Sequence, residues 1–195
     1  MARRSKTAIG REMQRLLDVA VERWPIAGRF TISRGAKTEA VVVLVTIREG
    51  DAAGRGESVR YARYGETVEG VVAAIEGVGA IKSREQLDET LAPGAARNAI
   101  DCALWDLEAK RSGRRAWDLA GLGPYKPPLT CYTLSLNTPE IMAKRAGEAR
   151  HHALLKIKLG GGAADAGRMR AIRSARPDAR LIADANEAWL PDELE

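Results

Sequence analysis

Three side chains in the last third of the sequence could do chemistry together. Lys156 and Lys158 stand two apart in Leu154-Leu155-Lys156-Ile157-Lys158-Leu159-Gly160, and Asp184 ends the apolar run of Leu181-Ile182-Ala183-Asp184-Ala185-Asn186-Glu187. In a strand, alternate side chains share a face, so Leu155, Ile157 and Leu159 point one way and both lysines the other. Amines on the inner face of a buried parallel strand are costly unless they meet a polar cavity. An edge strand with a wet face would carry the same pattern. Asp184 lies where parallel α/β folds build their sites, at the C-terminal end of a strand. Taken alone, it serves equally as a turn former or a helix N-cap. One strand–helix unit after Lys158, it brings a carboxylate beside two amines.

That combination suits removal of a proton from a carbon α to a carboxylate. A divalent ion held by carboxylates can neutralise the enediolate while a lysine takes the proton. The lysine must be neutral, so its pKa has to fall by about 3 units, roughly 4 kcal/mol, to act near pH 7. A neighbouring ammonium, the metal charge and partial burial push it down, and Lys156 beside Lys158 supplies such a neighbour.

Other chemistries fail on inventory. The only histidines, His151 and His152, are adjacent at the end of an expected helix, which does not suit a zinc site or a catalytic triad. Gly160-Gly161-Gly162 follows a strand but lacks a phosphate-loop pattern, and reads as a flexible connection. The net charge of +5 raises nucleic-acid binding. However, many basic residues sit among acids, as at Glu108, Lys110 and Arg111, and no stretch interleaves them with aromatics. A solvated basic surface, which would also suit an anionic small substrate, is the better reading, with no nucleic-acid partner. No apolar run reaches the roughly 18–20 residues of a membrane span. No secretion signal follows the basic N-terminus. Cys102 and Cys131 are far apart inside expected regular structure and read as buried thiols of a cytoplasmic protein.

The elements that must position these residues fall into two grammars. Residues 1–16 read as a basic leader or tail, with Met1 or Met13 as the true start. Strands are expected at 17–26, 39–48 and 54–59, with a polar segment at 28–37 between the first two; successive strands without helices suggest an antiparallel meander. Helices follow at 66–76, at 84–91 with Ser83 as cap, and at 95–112. In the last, Ala99, Ile100, Ala103, Leu104 and Leu107 form one stripe and Gly113 marks the stop. After a Gly/Pro-rich linker at 121–128, strand and helix alternate: strands at 129–136, 153–159 and 180–183, helices at 139–151 and 164–175, and a further helical start at Pro191. This is the rhythm of a parallel α/β architecture.

The run Ala95-Ala96-Arg97-Asn98-Ala99-Ile100-Asp101-Cys102-Ala103-Leu104-Trp105-Asp106-Leu107-Glu108-Ala109-Lys110 resembles the signature helix of the mandelate racemase/muconate lactonizing branch of the enolase superfamily. Lys156-Ile157-Lys158 is similar to its KxK motif and Asp184-Ala185-Asn186-Glu187-Ala188-Trp189 to its DxN motif. A lysine base with magnesium at an enediolate is the known chemistry of that superfamily. Arg34-Gly35-Ala36-Lys37-Thr38-Glu39, Ala62-Arg63-Tyr64-Gly65-Glu66 and Pro93-Gly94-Ala95-Ala96-Arg97-Asn98 resemble the dipeptide epimerases of the L-Ala-D/L-Glu type.

The resemblance implies an α+β capping domain (antiparallel meander then helices) at 17–122. It is followed at 129–195 by the first three βα units of a (β/α)7β TIM-like barrel. It implies Lys158 as acid/base and Lys156 on the substrate carboxylate, lowering the pKa of Lys158. Asp184 would be a ligand of one Mg2+ ion, Asn186 its support, and Thr133 a dipeptide contact. Arg34 and Lys37 would lie on a mobile loop that closes over the substrate. Where relatives often carry arginine, Lys37 keeps the charge without the bidentate fork. The family's other two metal carboxylates and its second lysine belong to strands not found here, so the ligand set is incomplete. The resulting expectation is a truncated chain, inactive alone, that associates as a homo-oligomer or with a complementary C-terminal half. Alternatives are a muconate lactonizing or o-succinylbenzoate synthase-like lyase and a non-catalytic remnant.

Overall fold

The structure, a computed structural model, describes residues 15–79, 81, 83–123 and 126–191. These form two compact units, one of 15–23 with 41–123 and one of 24–40 with 126–191. Residues 1–14 of the expected leader, both candidate starts and most of the expected helix after Pro191 lie outside the described residues; of the leader's last two residues, Leu16 opens β1 and Arg15 pairs with Glu49.

A three-stranded sheet has the order β1 (Leu16–Ile32), β2 (Gly35–Glu49), β3 (Ala52–Ser58). The polar segment at 28–37, expected to separate two shorter strands, is instead the tip of one long hairpin, turned in two residues at Ser33 and Arg34. Backbone pairing needs no apolar side chains, so the ladder runs through the glycine and charged residues that interrupt the alternation of Trp24, Ile26, Phe30 and Ile32. β2 and β3 pair antiparallel, with Val45 opposite Gly56.

In the first unit this sheet carries α1 (Val68–Gly77), α2 (Arg84–Thr90), α3 (Ala95–Ser112) and a short α4 (Ala116–Leu119). Thr67 and Ser83 cap α1 and α2 by accepting from Gly70 N (3.0 Å) and Gln86 N (3.2 Å). Gly94 has no side chain to cap α3. Glu66 does so from a distance, its carboxylate accepting from Ala95 N and Tyr61 N at 2.7 Å each. The expected stripe of α3 is fully buried in one core with Val43, Val45, Ile47, Ile75 and Leu87.

The face of α3 beside that stripe closes the free edge of β3. Asp106 accepts from Arg55 N (2.8 Å), Lys110 donates to Ala53 O (3.0 Å) and Asn98 donates to Glu57 O (3.3 Å). An edge strand's unpaired groups are thus satisfied by helix side chains. This requires very close approach: a Cβ on Gly54 would lie 2.1 Å from Ala103 O, and one on Gly56 2.0 Å from Ala99 O. Cys102, off the buried stripe, is exposed, and so is Cys131, which precedes its strand; neither is the buried thiol expected.

The second unit contains a parallel sheet in the order β4 (Tyr132–Leu134), β5 (Leu154–Lys158), β6 (Arg180–Asp184). α5 (Pro139–Glu148) and α6 (Ala164–Ala175) follow β4 and β5 and cover one face. Leu134, Met142, Leu155, Ile157, Leu159 and Ile172 pack there with almost no exposure. β4 is shorter than the eight residues expected, because 129–131 form an exposed lead-in. Arg176, buried at 4% exposure, donates to the carbonyls of Ala149 and His152 at 2.9 Å each, tying the end of α5 to the loop before β6. No helix among the described residues is long and apolar enough to cross a membrane.

The contact between β3 and α3 leaves no room for a methyl group. Gly56→Ala is therefore expected to lower stability by about 1–3 kcal/mol or more. Gly77→Ala, where nothing lies within 4 Å, should be neutral or gain a few tenths. Urea unfolding of the two variants checks both signs.

Candidate active site

The parallel register sets the site. Thr133 lies across from Lys156, Lys156 from Ile182, and Lys158 from Asp184. Partners in register share a face, so these five residues stand on the side of the sheet away from α5 and α6. The division between leucines on one face and lysines on the other is as expected: Leu155, Ile157 and Leu159 are wholly buried under the helices.

Both amines converge on one oxygen. Asp184 Oδ2 accepts from Lys158 Nζ at 2.7 Å and Lys156 Nζ at 2.8 Å. Its Oδ1 accepts from Asn186 N at 3.1 Å, so the turn-forming and charge-pairing readings of Asp184 both hold. Leu159 N continues the ladder by donating to Asp184 O at 3.0 Å. The hydrogen bonds from Lys156 and Lys158 hold the Asp184 carboxyl far below the usual carboxylate range, against the effect of burial. Lys156 is pushed up, chiefly by its hydrogen bond to Asp184. The carboxylate expected beside the two amines is thus bonded to both. Only 8% of Lys158 is exposed, and its ion pair offsets the desolvation of its ammonium group.

The loop after β6 is strained. Asn186 (φ 50°) and Glu187 (φ 67°) are the non-glycine residues in left-handed backbone among those described. Such positions cost of order 1–3 kcal/mol each and gather at functional sites. Asn186 Oδ1 is buried and accepts no hydrogen bond from the described residues. The hairpin tip meets this loop: Ser33 Oγ donates to Asn186 O at 3.2 Å, and Arg34 Nη1 lies 2.8 Å from Glu187 Oε2. Arg34 is therefore tied to the loop that carries Asp184, whereas Lys37 is exposed further along the hairpin. No local sequence pattern marks Glu187 beyond its place in the motif.

The glycine loop does not offer its amides to a phosphate. Gly160 N and Gly161 N both donate to Asp165, a buried carboxylate that no motif in the sequence marks. His152 is stacked on Tyr132, with ring centroids 4.5 Å apart.

Magnesium favours six oxygen ligands. Asp184 supplies one carboxylate, already engaged by two ammonium groups, and no group of three His, Cys, Asp or Glu side chains gathers among the described residues. The described residues do not by themselves make a magnesium site.

Residues 15–121 match the family profile of the mandelate racemase / muconate lactonizing enzyme N-terminal domain. The chain belongs to that family. It is 42% identical to the L-Ala-D/L-Glu epimerase of Escherichia coli K12 over 92% of its own length and 58% of that protein's. Among solved structures it is similar to an enolase family member from Agrobacterium tumefaciens with homology to dipeptide epimerases, described with bound sodium and L-Ala-L-Glu. That match has a TM-score of 0.85 and 51% identity, covering 92% of this chain and 56% of the other. A dipeptide epimerase from Enterococcus faecalis, complexed with Mg and L-Leu-L-Tyr, gives a TM-score of 0.83 at 30% identity, covering 94% and 56%. The chain thus spans little more than half the length of these relatives.

A carboxyl held low in the folded state stabilises it above its unfolded pKa, about 4, and loses that contribution as pH falls through the lower folded value. Asp184→Asn should be less stable than the parent at pH 7. The gap should narrow steadily below about pH 4, as read by urea unfolding at each pH.

Proposed function

We propose that these residues belong to a dipeptide epimerase that moves a proton at the carbon α to a carboxylate. The observation that carries this reading is the convergence of Lys156 and Lys158 on Asp184, at adjacent strands of a parallel sheet, in a chain of this family. The reading includes a capping domain at 17–122 and, at 129–195, the first units of a (β/α)7β barrel. Lys158 takes or returns the α-proton, Lys156 holds the substrate carboxylate and Thr133, one strand away, contacts the dipeptide. The hairpin tip with Arg34 and Lys37 covers the substrate, a role supported by the contacts of Ser33 and Arg34 with the loop after Asp184. Asp184, supported by Asn186, would supply one ligand to a magnesium ion, and the charge of such an ion would stabilise an enediolate. The remaining ligands are not among the residues described, so no step is assigned through the metal.

In this arrangement Lys158 can accept a proton only as the neutral amine, so its bond to Asp184 must give way before reaction. Removing a general base typically costs 10²–10⁴-fold in rate. In an active protein carrying these residues, Lys158→Ala should abolish exchange of the substrate α-proton with D2O to at least about that extent, followed by proton NMR. Retention of exchange would overturn the role of Lys158.

An epimerase needs a base on each face of the α-carbon, and within the parallel sheet the described strands carry lysines on β5 alone. The purified 195-residue chain is therefore expected to leave L-Ala-L-Glu unchanged. Racemisation detected by chiral chromatography would contradict this.

Lys37→Arg should lower KM for dipeptides with an acidic second residue while leaving kcat nearly unchanged, since the planar fork binds a carboxylate through two parallel bonds. Steady-state kinetics on L-Ala-L-Glu against a neutral dipeptide tests this in the same active protein.

A further inference from the structure

We propose that Asp165 is a positioning residue that locks the loops following β5 and β6 together and thereby sets where Lys158 meets Asp184. Asp165 sits in the first turn of α6 and is 5% exposed. Its carboxylate accepts four hydrogen bonds from three segments. Oδ1 accepts from Gly160 N at 3.2 Å and Arg168 Nη1 at 2.7 Å; Oδ2 accepts from Gly161 N at 2.8 Å and Trp189 Nε1 at 2.8 Å. Gly160 and Gly161 come directly after Lys158 and Leu159, and Trp189 is five residues beyond Asp184.

These bonds close a ring. From Asp165 the path runs through Gly160 to Leu159, whose amide donates to Asp184 O at 3.0 Å. It then follows the strained turn at Asn186 and Glu187 to Trp189 and returns to Asp165. The loops also touch: Gly161 has φ 86°, and a Cβ there would lie 2.8 Å from Ala188 O. Asp165 acts on the lysine and aspartate through these loops, while Trp189 rests on the core that contains Leu155, Ile157 and Leu159.

The carboxylate stays charged. Burial pushes its pKa up, but the bonds from Trp189, Gly160 and Gly161 together hold it below the ordinary value. Successive amides in left-handed turns form a ready anion-binding concavity, and here the anion is internal. Losing it would leave partly buried donors without this partner, which costs more than one ordinary hydrogen bond.

The functional meaning of this lock rests on the proton-transfer reading, but its test reads geometry alone. Amide hydrogen exchange on the 15N-labelled chain reports Leu159 directly, with Leu155 and Ile157 as internal references. Asp165→Ala should speed exchange at Leu159 and Gly161 by at least about tenfold relative to those references. Added sodium formate, which can refill the concavity, should restore protection, whereas sodium chloride at equal concentration should not. Trp189→Phe removes one donor and keeps the apolar bulk, so it tests the same link if Asp165→Ala fails to fold. It should speed exchange at Leu159 and leave the references unchanged. Unchanged exchange at Leu159, or an equal rise at all three amides, would overturn the proposal. Loss of the catalytic role assigned to Lys158 would leave it standing.

Discussion

Sharing the Asp184 carboxylate between two ammonium groups resolves a conflict in the sheet. Lys156 and Lys158 lie on one face of one strand, where like charges repel and Lys158 has lost most of its water. A single anion across the strand gap satisfies both. Its place depends on the parallel register, which sets Lys158 opposite Asp184. A slip of one residue would turn Asp184 toward α5 and α6 and leave both amines without an anion. The same register buries Leu155 and Ile157 under those helices, so packing on one face enforces the charge pairing on the other.

The loops then inherit the geometry of the strands. Asn186 and Glu187 adopt left-handed backbone so that the chain can turn after Asp184 and bring Trp189 to Asp165. Such strain persists only where surrounding contacts over-determine it. Here those contacts are the Asp165 bonds on one side and the hairpin tip, through Ser33 and Arg34, on the other. The first unit shows the same economy of parts. α3 buries one face in the core and uses Asn98, Asp106 and Lys110 to satisfy the edge of β3, with Gly54 and Gly56 allowing the approach.

Much of this was legible from spacing. The two-residue alternation around Lys156 and Lys158 and the stripe on α3 are local periodicities; burial follows the stripe closely, whereas on β5 Lys158 is buried along with the apolar face. The full hairpin is hard to read because glycines and charged residues at 28–37 interrupt the alternation that Trp24, Ile26, Phe30 and Ile32 continue, yet its backbone pairs all the same. The two cysteines were misplaced because a helix turns residue 102 off the stripe and because β4 starts after residue 131. Asp165 was missed for a different reason. An acidic residue at the start of a helix is ordinary, and its four partners are scattered over nearly thirty positions.

The amino-acid sequence by itself determined the order of the elements, the face on which each lysine stands and the family to which the chain belongs. These depend on periodicity and motif, which are local properties. Only the tertiary structure decided that the two amines share one oxygen of Asp184, that Asp165 rather than an external anion takes the glycine amides, and that Arg34 meets Glu187. Each of these depends on the distance between groups remote in the chain. Strand register and loop closure set that distance, and no local pattern of residues encodes it.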